Sequence, residues 1–152
     1  MRTESLIRDT GIAIAGAEGD MDLLKTVRPN LVQSIRAFRV TDLQEEAARL
    51  EQHFLYAYCA DALTKQQVLA AIAESFHFPK HSGKNFDALG DSLTNLAHKA
   101  GPQPGFLVVL EQLPNTPKFD KEARETLLDV FRDAADFWAE KKVAFRVFYS
   151  FQ

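Results

Sequence analysis

A single cysteine, Cys59, among 152 residues excludes a disulfide framework. It lies in the apolar run Phe54-Leu55-Tyr56-Ala57-Tyr58 and Ala60, the setting of a small buried thiol. Charge of one sign is lacking too: 18 basic against 21 acidic side chains leave a net charge of −3. Residues 1–50, 51–100 and 101–152 each sit at −1, so no polybasic patch or charged tail exists to gather nucleic acid by counterion release. Long hydrophobic runs are also missing. The longest near the start, Ile12 to Ala17, runs into Glu18, Asp20 and Asp22, too short for a membrane span and without a cleavage pattern behind it. A cytoplasmic protein with no nucleic-acid or membrane partner is the expectation. What the chain does have is 46% apolar, 11% aromatic and 26% charged residues, ample for one packed domain.

Periodicity divides the chain. Gly11, Gly16 and Gly19 break any period near the start, and Arg28-Pro29-Asn30 reads as a turn. From Ser34 the stretch holding Ile35, Ala37, Phe38 and Val40 predicts a short strand. Thr41, with Gln44 at capping-box spacing, opens a charged helix to about Gln52. Phe54 to Ala60 has the length and aromatic content of a buried strand. Thr64 and Gln67 repeat the capping-box spacing before a helix with Val68, Ala71, Ile72 and Phe76 on one side, ending before Pro79. Asn85 is placed to cap a third helix. After the Gly101–Gly105 connector, Phe106 to Leu110 is wholly apolar, the pattern of a strand covered on both faces and hence paired in parallel. A long helix follows through Leu127, Phe131, Ala134 and Trp138 to Lys141 and Lys142, and a strand from Phe145 to Phe151 closes the chain. Strands separated by helices predict an α/β fold, a small parallel sheet packed with helices.

The third helix carries the functional signal. At about 100° per residue from Phe86, its apolar positions Phe86, Leu89, Leu93, Leu96 and Ala97 form one narrow stripe, while Asp87, Asp91, Thr94 and His98 cluster on the exposed side. Two carboxylates therefore share that face one turn apart. One reading is structural: Asp87 complements the helix dipole and Asp91 is simply solvated. The other is that the pair forms an anionic ridge able to enter a cationic cleft as phosphates would. Helical geometry leaves both open.

Two further classes fit the residues poorly. A metal or acid–base enzyme built on Asp87, Asp91 and His81 or His98 would have only part of a Mg²⁺ shell, and no zinc spacing, Gly-rich phosphate loop or nucleophile elbow occurs. No cofactor is expected. An RNA-binding strand built on Phe145, Val147, Tyr149 and Phe151 would carry aromatics on both faces and lacks the glycine of the RNA-recognition signature, so these rings are expected in the core.

The stretch from Pro79 to Thr94, Pro-x-x-x-Gly-x-Asn-x-Asp-Ala-Leu-x-Asp-x-Leu-Thr, resembles the signature of the barstar family, inhibitors of barnase-type ribonucleases. The likeness covers roughly residues 53–152, in the family's order of elements. It implies a barstar-like α/β domain over 53–152 with three parallel strands, preceded by an extension at 34–52, a short strand and a helix, that could add a fourth. Residues 1–33 are read as an N-terminal arm whose order the pattern leaves open.

Carried over position by position, the resemblance makes Asp91 the dominant acidic anchor, Asp87 the second acid of the plug, Asn85 a contact that also caps the helix, Thr94 a rim contact, and Asp133 an edge carboxylate on the late helix. By this analogy, removing the Asp91 carboxylate would cost roughly 2–5 kcal/mol or more of binding, a magnitude that comes from the barnase–barstar complex itself. The chain also departs from the family pattern. His81 and Ser82 stand where tyrosines are familiar, Gly90 stands for a tryptophan, Lys80 and Lys84 replace acids, and Asp133 is shorter than the usual Glu. The implied function is inhibition of a basic, secreted, barnase-type ribonuclease by a non-catalytic protein. The alternative is an interaction module on the same fold with a different partner, because an added strand and helix could cover the docking face.

Overall fold

The computed structural model describes residues 23–25, 27–96 and 104–152. Four strands form one wholly parallel sheet: β1 (Asn30–Ser34), β2 (His53–Tyr58), β3 (Gly105–Leu113) and β4 (Ala144–Phe151), in the order β1-β4-β3-β2. Four α-helices lie among the described residues: α1 (Val40–Arg49), α2 (Lys65–Ser75), α3 (Phe86–Leu93) and α4 (Lys121–Glu140). The α/β class and parallel sheet expected from the sequence are what the structure shows, and a fourth strand is present, though four of its five residues lie in the segment read as the arm rather than in the 34–52 extension.

Side-chain alternation explains why the sheet is parallel and buried. Along β3, Phe106, Val108 and Leu110 enter the core shared with α2, α3 and α4, while Leu107 and Val109 enter a second core with α1. Successive residues of a strand face opposite sides, so an unbroken apolar run needs a cover on both. β4 behaves alike: Phe145 and Val147 face the main core, where Tyr149 and Phe151 pack at its margin, and Phe148 faces α1. The four alternating residues considered for base stacking thus belong to the main core.

Helix ends follow local chemistry in two cases and depart from it in a third. Thr64 accepts from the Gln67 N–H at 3.1 Å, as the Thr64–Gln67 spacing predicts, while the Gln67 side chain reaches back to the Leu63 N–H at 2.7 Å, one residue ahead of the cap. Asp120 caps α4 by accepting from the Ala123 N–H at 2.9 Å. At α1 the expected Thr41 cap is not formed. The helix begins at Val40 after Arg39, which makes no side-chain cap bond. Its start is held instead by an Arg39–Asp42 ion pair at 3.2 Å, and it ends at Arg49, short of Gln52.

The first strand is also displaced from its expected position. It runs from Asn30 to Ser34, mostly inside the segment read as a turn and arm, and Ile35–Arg39 connect it to α1 through a turn with Arg36 at φ 47°. The cause is tertiary. The Asn30 amide donates to the carbonyls of Ala135 at 3.1 Å and Val143 at 2.9 Å, fastening the strand to α4 and to the residue that leads into β4. Ile35, Phe38 and Val40 then pack sideways on the second core, with the Phe38 ring 5.2 Å from Phe148.

Candidate functional site

The segment between α2 and α3 is short and tightly held. His77 turns the chain out of α2 at φ 59°, and Lys80–Gly83 form one turn of 3₁₀ helix. Ser82 is fully buried, and its hydroxyl lies 2.5 Å from that of Ser92, which joins the loop to the last turn of α3. Gly83 packs against α2 so closely that a Cβ there would come within 3.2 Å of the Ala70 Cα, which explains glycine at this position. The loop is thus wedged between two helices, and packing of this kind fixes a surface better than loop propensity does.

α3 is similarly determined at both ends. The Asn85 side chain accepts from the Ala88 N–H at 2.8 Å, the N-cap its position predicts. Leu89 and Leu93 are fully buried in the main core. At the C-terminal end the buried indole N–H of Trp138 donates to the Leu93 carbonyl at 3.0 Å, and the Thr94 hydroxyl donates to the carbonyls of Gly90 and Asp91, each at 3.2 Å. The Leu93 and Asp91 carbonyls of the last turn thereby gain partners, while that of Gly90 accepts the Thr94 N–H as well.

On this fixed helix, Asp87 and Asp91 are both exposed and neither forms an ion pair with a described residue. Asp91 lines an open groove of about 490 Å³ with Phe78, Pro79, His81, Ser92 and Asn95, so the structure brings His81 next to the acidic face. Phe86, in the first turn, is partly buried beneath the Lys65 ammonium, 5.6 Å from its ring centre. Gly90 sits mid-helix, where a Cβ would meet only the Val130 Cγ1 at 3.6 Å, ordinary contact with α4. Nothing inside the fold therefore demands glycine there. Asp133 is exposed one turn beyond Val130 on α4. His98 lies outside the described residues.

Sequence reasoning missed two parts of the site: the Ser82–Ser92 hydroxyl pair and the Asn95 edge of the groove. Neither has a local signal, because both exist only once the loop is folded onto α3. The structure also bears on a catalytic reading. No group of three or more His, Cys, Asp or Glu among the described residues could hold a metal ion. The Cys59 thiol is buried and pushed up to about 11 by that burial, so it is a poor nucleophile at neutral pH. No helix among the described residues is long and apolar enough to cross a membrane.

The extension leaves α3 uncovered. β1 joins the sheet at the β4 edge, and α1 packs on the second face with Leu107, Val109 and Phe148, whereas α3 packs on the first. No curated protein and no solved structure matches the chain. A family model described as Barstar (barnase inhibitor) matches residues 52–150, the region from the edge of β2 to the end of β4.

Proposed function

The chain belongs to the barstar family, and we propose that it binds and blocks a barnase-type ribonuclease by inserting the Asp87/Asp91 face of α3 into the cleft that would hold substrate phosphate. The observation that carries this reading is the pair of exposed carboxylates, without ion-pair partners among the described residues, on a helix capped and packed along its length. Such a ridge pays little ordering entropy on docking, because the fold has already set its backbone. Carboxylates desolvated against Arg, Lys and His form charge-assisted hydrogen bonds stronger than neutral ones.

The roles divide by position. Asp91, beside the groove, is the central anchor, and Asp87, near the N-terminal end of α3, is the second acid. Asn85 presents its amide beside them while its oxygen caps the helix. Thr94 and His81 are edge contacts, Gly90 lets the partner approach the helix backbone, and Asp133 contributes at the rim from α4. The protein itself is non-catalytic and acts in the cytoplasm, without a cofactor, nucleic acid or membrane in its function.

The test is titration of a barnase-type ribonuclease with the full chain at low and high ionic strength, with Asp91→Ala as comparison. Stoichiometric inhibition that weakens with salt and is lost in Asp91→Ala supports the reading. Inhibition untouched by Asp91→Ala overturns it. The second reading, the same fold serving a partner that is not a ribonuclease, is favoured by the bare surface at Gly90, where no large side chain stands ready to anchor the enzyme. Capture of a non-nuclease by the acidic face, with no inhibition in the titration, would select it.

A further inference from the structure

The Pro79–Lys84 loop is a ridge between two grooves of unlike charge. On the α3 side lies the groove of about 490 Å³ that holds Asp91 and His81. On the α2 side a second groove, of about 660 Å³, is lined by Gln66, Glu74, His77, Lys80 and Lys84. Phe78 contributes to both. Lys80 and Lys84 are exposed, and neither ammonium forms an ion pair with a described residue, so two lysines outweigh the one carboxylate of Glu74. The walls are fixed: Gly83 abuts the α2 backbone, and the Gln66 amide donates to the Lys84 carbonyl at 3.3 Å.

We propose that the docking surface is bipolar: while the Asp87/Asp91 ridge meets the cationic cleft of the ribonuclease, the Lys80/Lys84 groove receives a carboxylate-bearing segment at the lip of that cleft. This rests on the inhibitory reading above and specifies its partner. A ribonuclease with a uniformly basic rim would bring positive charge against Lys80 and Lys84, and facing like charges slow association and select against that partner. An enzyme with an acidic lip beside its phosphate-binding cleft meets attraction on both sides of the loop. The two lysines therefore set partner choice, and the two aspartates supply the anchor.

The experiment measures association of the full chain with a barnase-type ribonuclease whose active-site rim is uniformly basic, at low and high salt. It compares the unaltered chain, the double variant Lys80→Glu/Lys84→Glu, and a control with the same net charge change, Lys141→Glu/Lys142→Glu, at the end of α4. The expected result is an association rate about tenfold faster for the loop variant at low salt, a smaller gain at high salt, and a much smaller gain for the control. An equal or slower rate for the loop variant, an equal gain in the control, or no measurable association by any of the three overturns the proposal. Asp91→Ala added to the loop variant separates the two claims. If it abolishes capture, the inhibitory anchor stands whatever the lysines do. If the loop variant gains speed and Asp91→Ala leaves capture intact, the bipolar surface stands and the anchor falls.

Discussion

The indole N–H of Trp138 on α4 donates to the main-chain carbonyl of Leu93, at the last residue of α3, across 3.0 Å in the buried core. A helix of eight residues makes few internal hydrogen bonds and is marginal alone. The orientation of the Asp87/Asp91 face therefore depends on its caps, on the burial of Leu89 and Leu93, on the Ser82–Ser92 pair and on this bond to α4. Trp138→Phe removes the indole donor from the Leu93 carbonyl and shrinks a ring whose centre lies 5.2 Å from that of Phe106. The expected loss is about 1–3 kcal/mol, read as a lower denaturant midpoint with an unchanged slope.

Gly90 gives a prediction of opposite sign. An alanine Cβ there would find only Val130 at 3.6 Å, and glycine in a helix interior is about 1 kcal/mol worse than alanine. Gly90→Ala should therefore stabilise the free protein by about that amount, raising the melting temperature by roughly 2–4 °C in a domain of this size. Under the proposed docking, where a partner approaches the α3 backbone, the same change should weaken inhibition. Stability and binding measured on one sample would show the two effects moving apart.

How far the sequence could be read depended on the range of the interactions concerned. The apolar run Phe106–Leu110, the Thr64–Gln67 cap, the Asn85 cap and the α3 stripe are local patterns, and each marked an element the structure contains. β1 was misplaced because Asn30, a turn former by local habit, is recruited as a strand start by the Ala135 and Val143 carbonyls more than a hundred positions away. The Ser82–Ser92 pair, only ten positions apart, has no local pattern either, because it forms only once the loop is packed between α2 and α3. Thr41 does not cap although its spacing is right, since the packing of Val40 on the second core draws the helix start back by two residues, to a cap position at Arg39.

That second core makes the extension structural. Leu43 and Ala47 of α1 are fully buried against Leu107, Val109 and Phe148, and Leu24 joins them from ahead of β1. Leu43→Ala should cost about 2–5 kcal/mol, the range for a buried leucine that leaves a cavity. The α1 surface faces away from α3, so inhibition per folded molecule should stay unchanged. Equilibrium unfolding together with the titration would detect a loss of stability without a loss of binding.

Burial of Cys59 predicts how stability depends on alkaline pH. Its thiol titrates at about 11 in the folded chain against an ordinary 9.0, because burial disfavours the thiolate. A folded value above the unfolded one means that the stabilisation is complete below pH 9.0 and disappears as pH rises to about 11, because the unfolded chain loses the proton first. Over that window the thiol should remove roughly 2–3 kcal/mol. Tyr56 is shifted in the same direction by burial and by its hydrogen bond to Glu111, so its contribution too is lost as pH rises above the ordinary tyrosine value of 10.0. Denaturant midpoints collected between pH 8 and 11 should drop more steeply for the unaltered chain than for Cys59→Ala, and the two curves should separate from about pH 9, where the free thiol begins to ionise. Parallel curves throughout would mean that the thiol is hydrated in the native state. Its place between β2 and the main core, at 1% exposure, argues against that outcome.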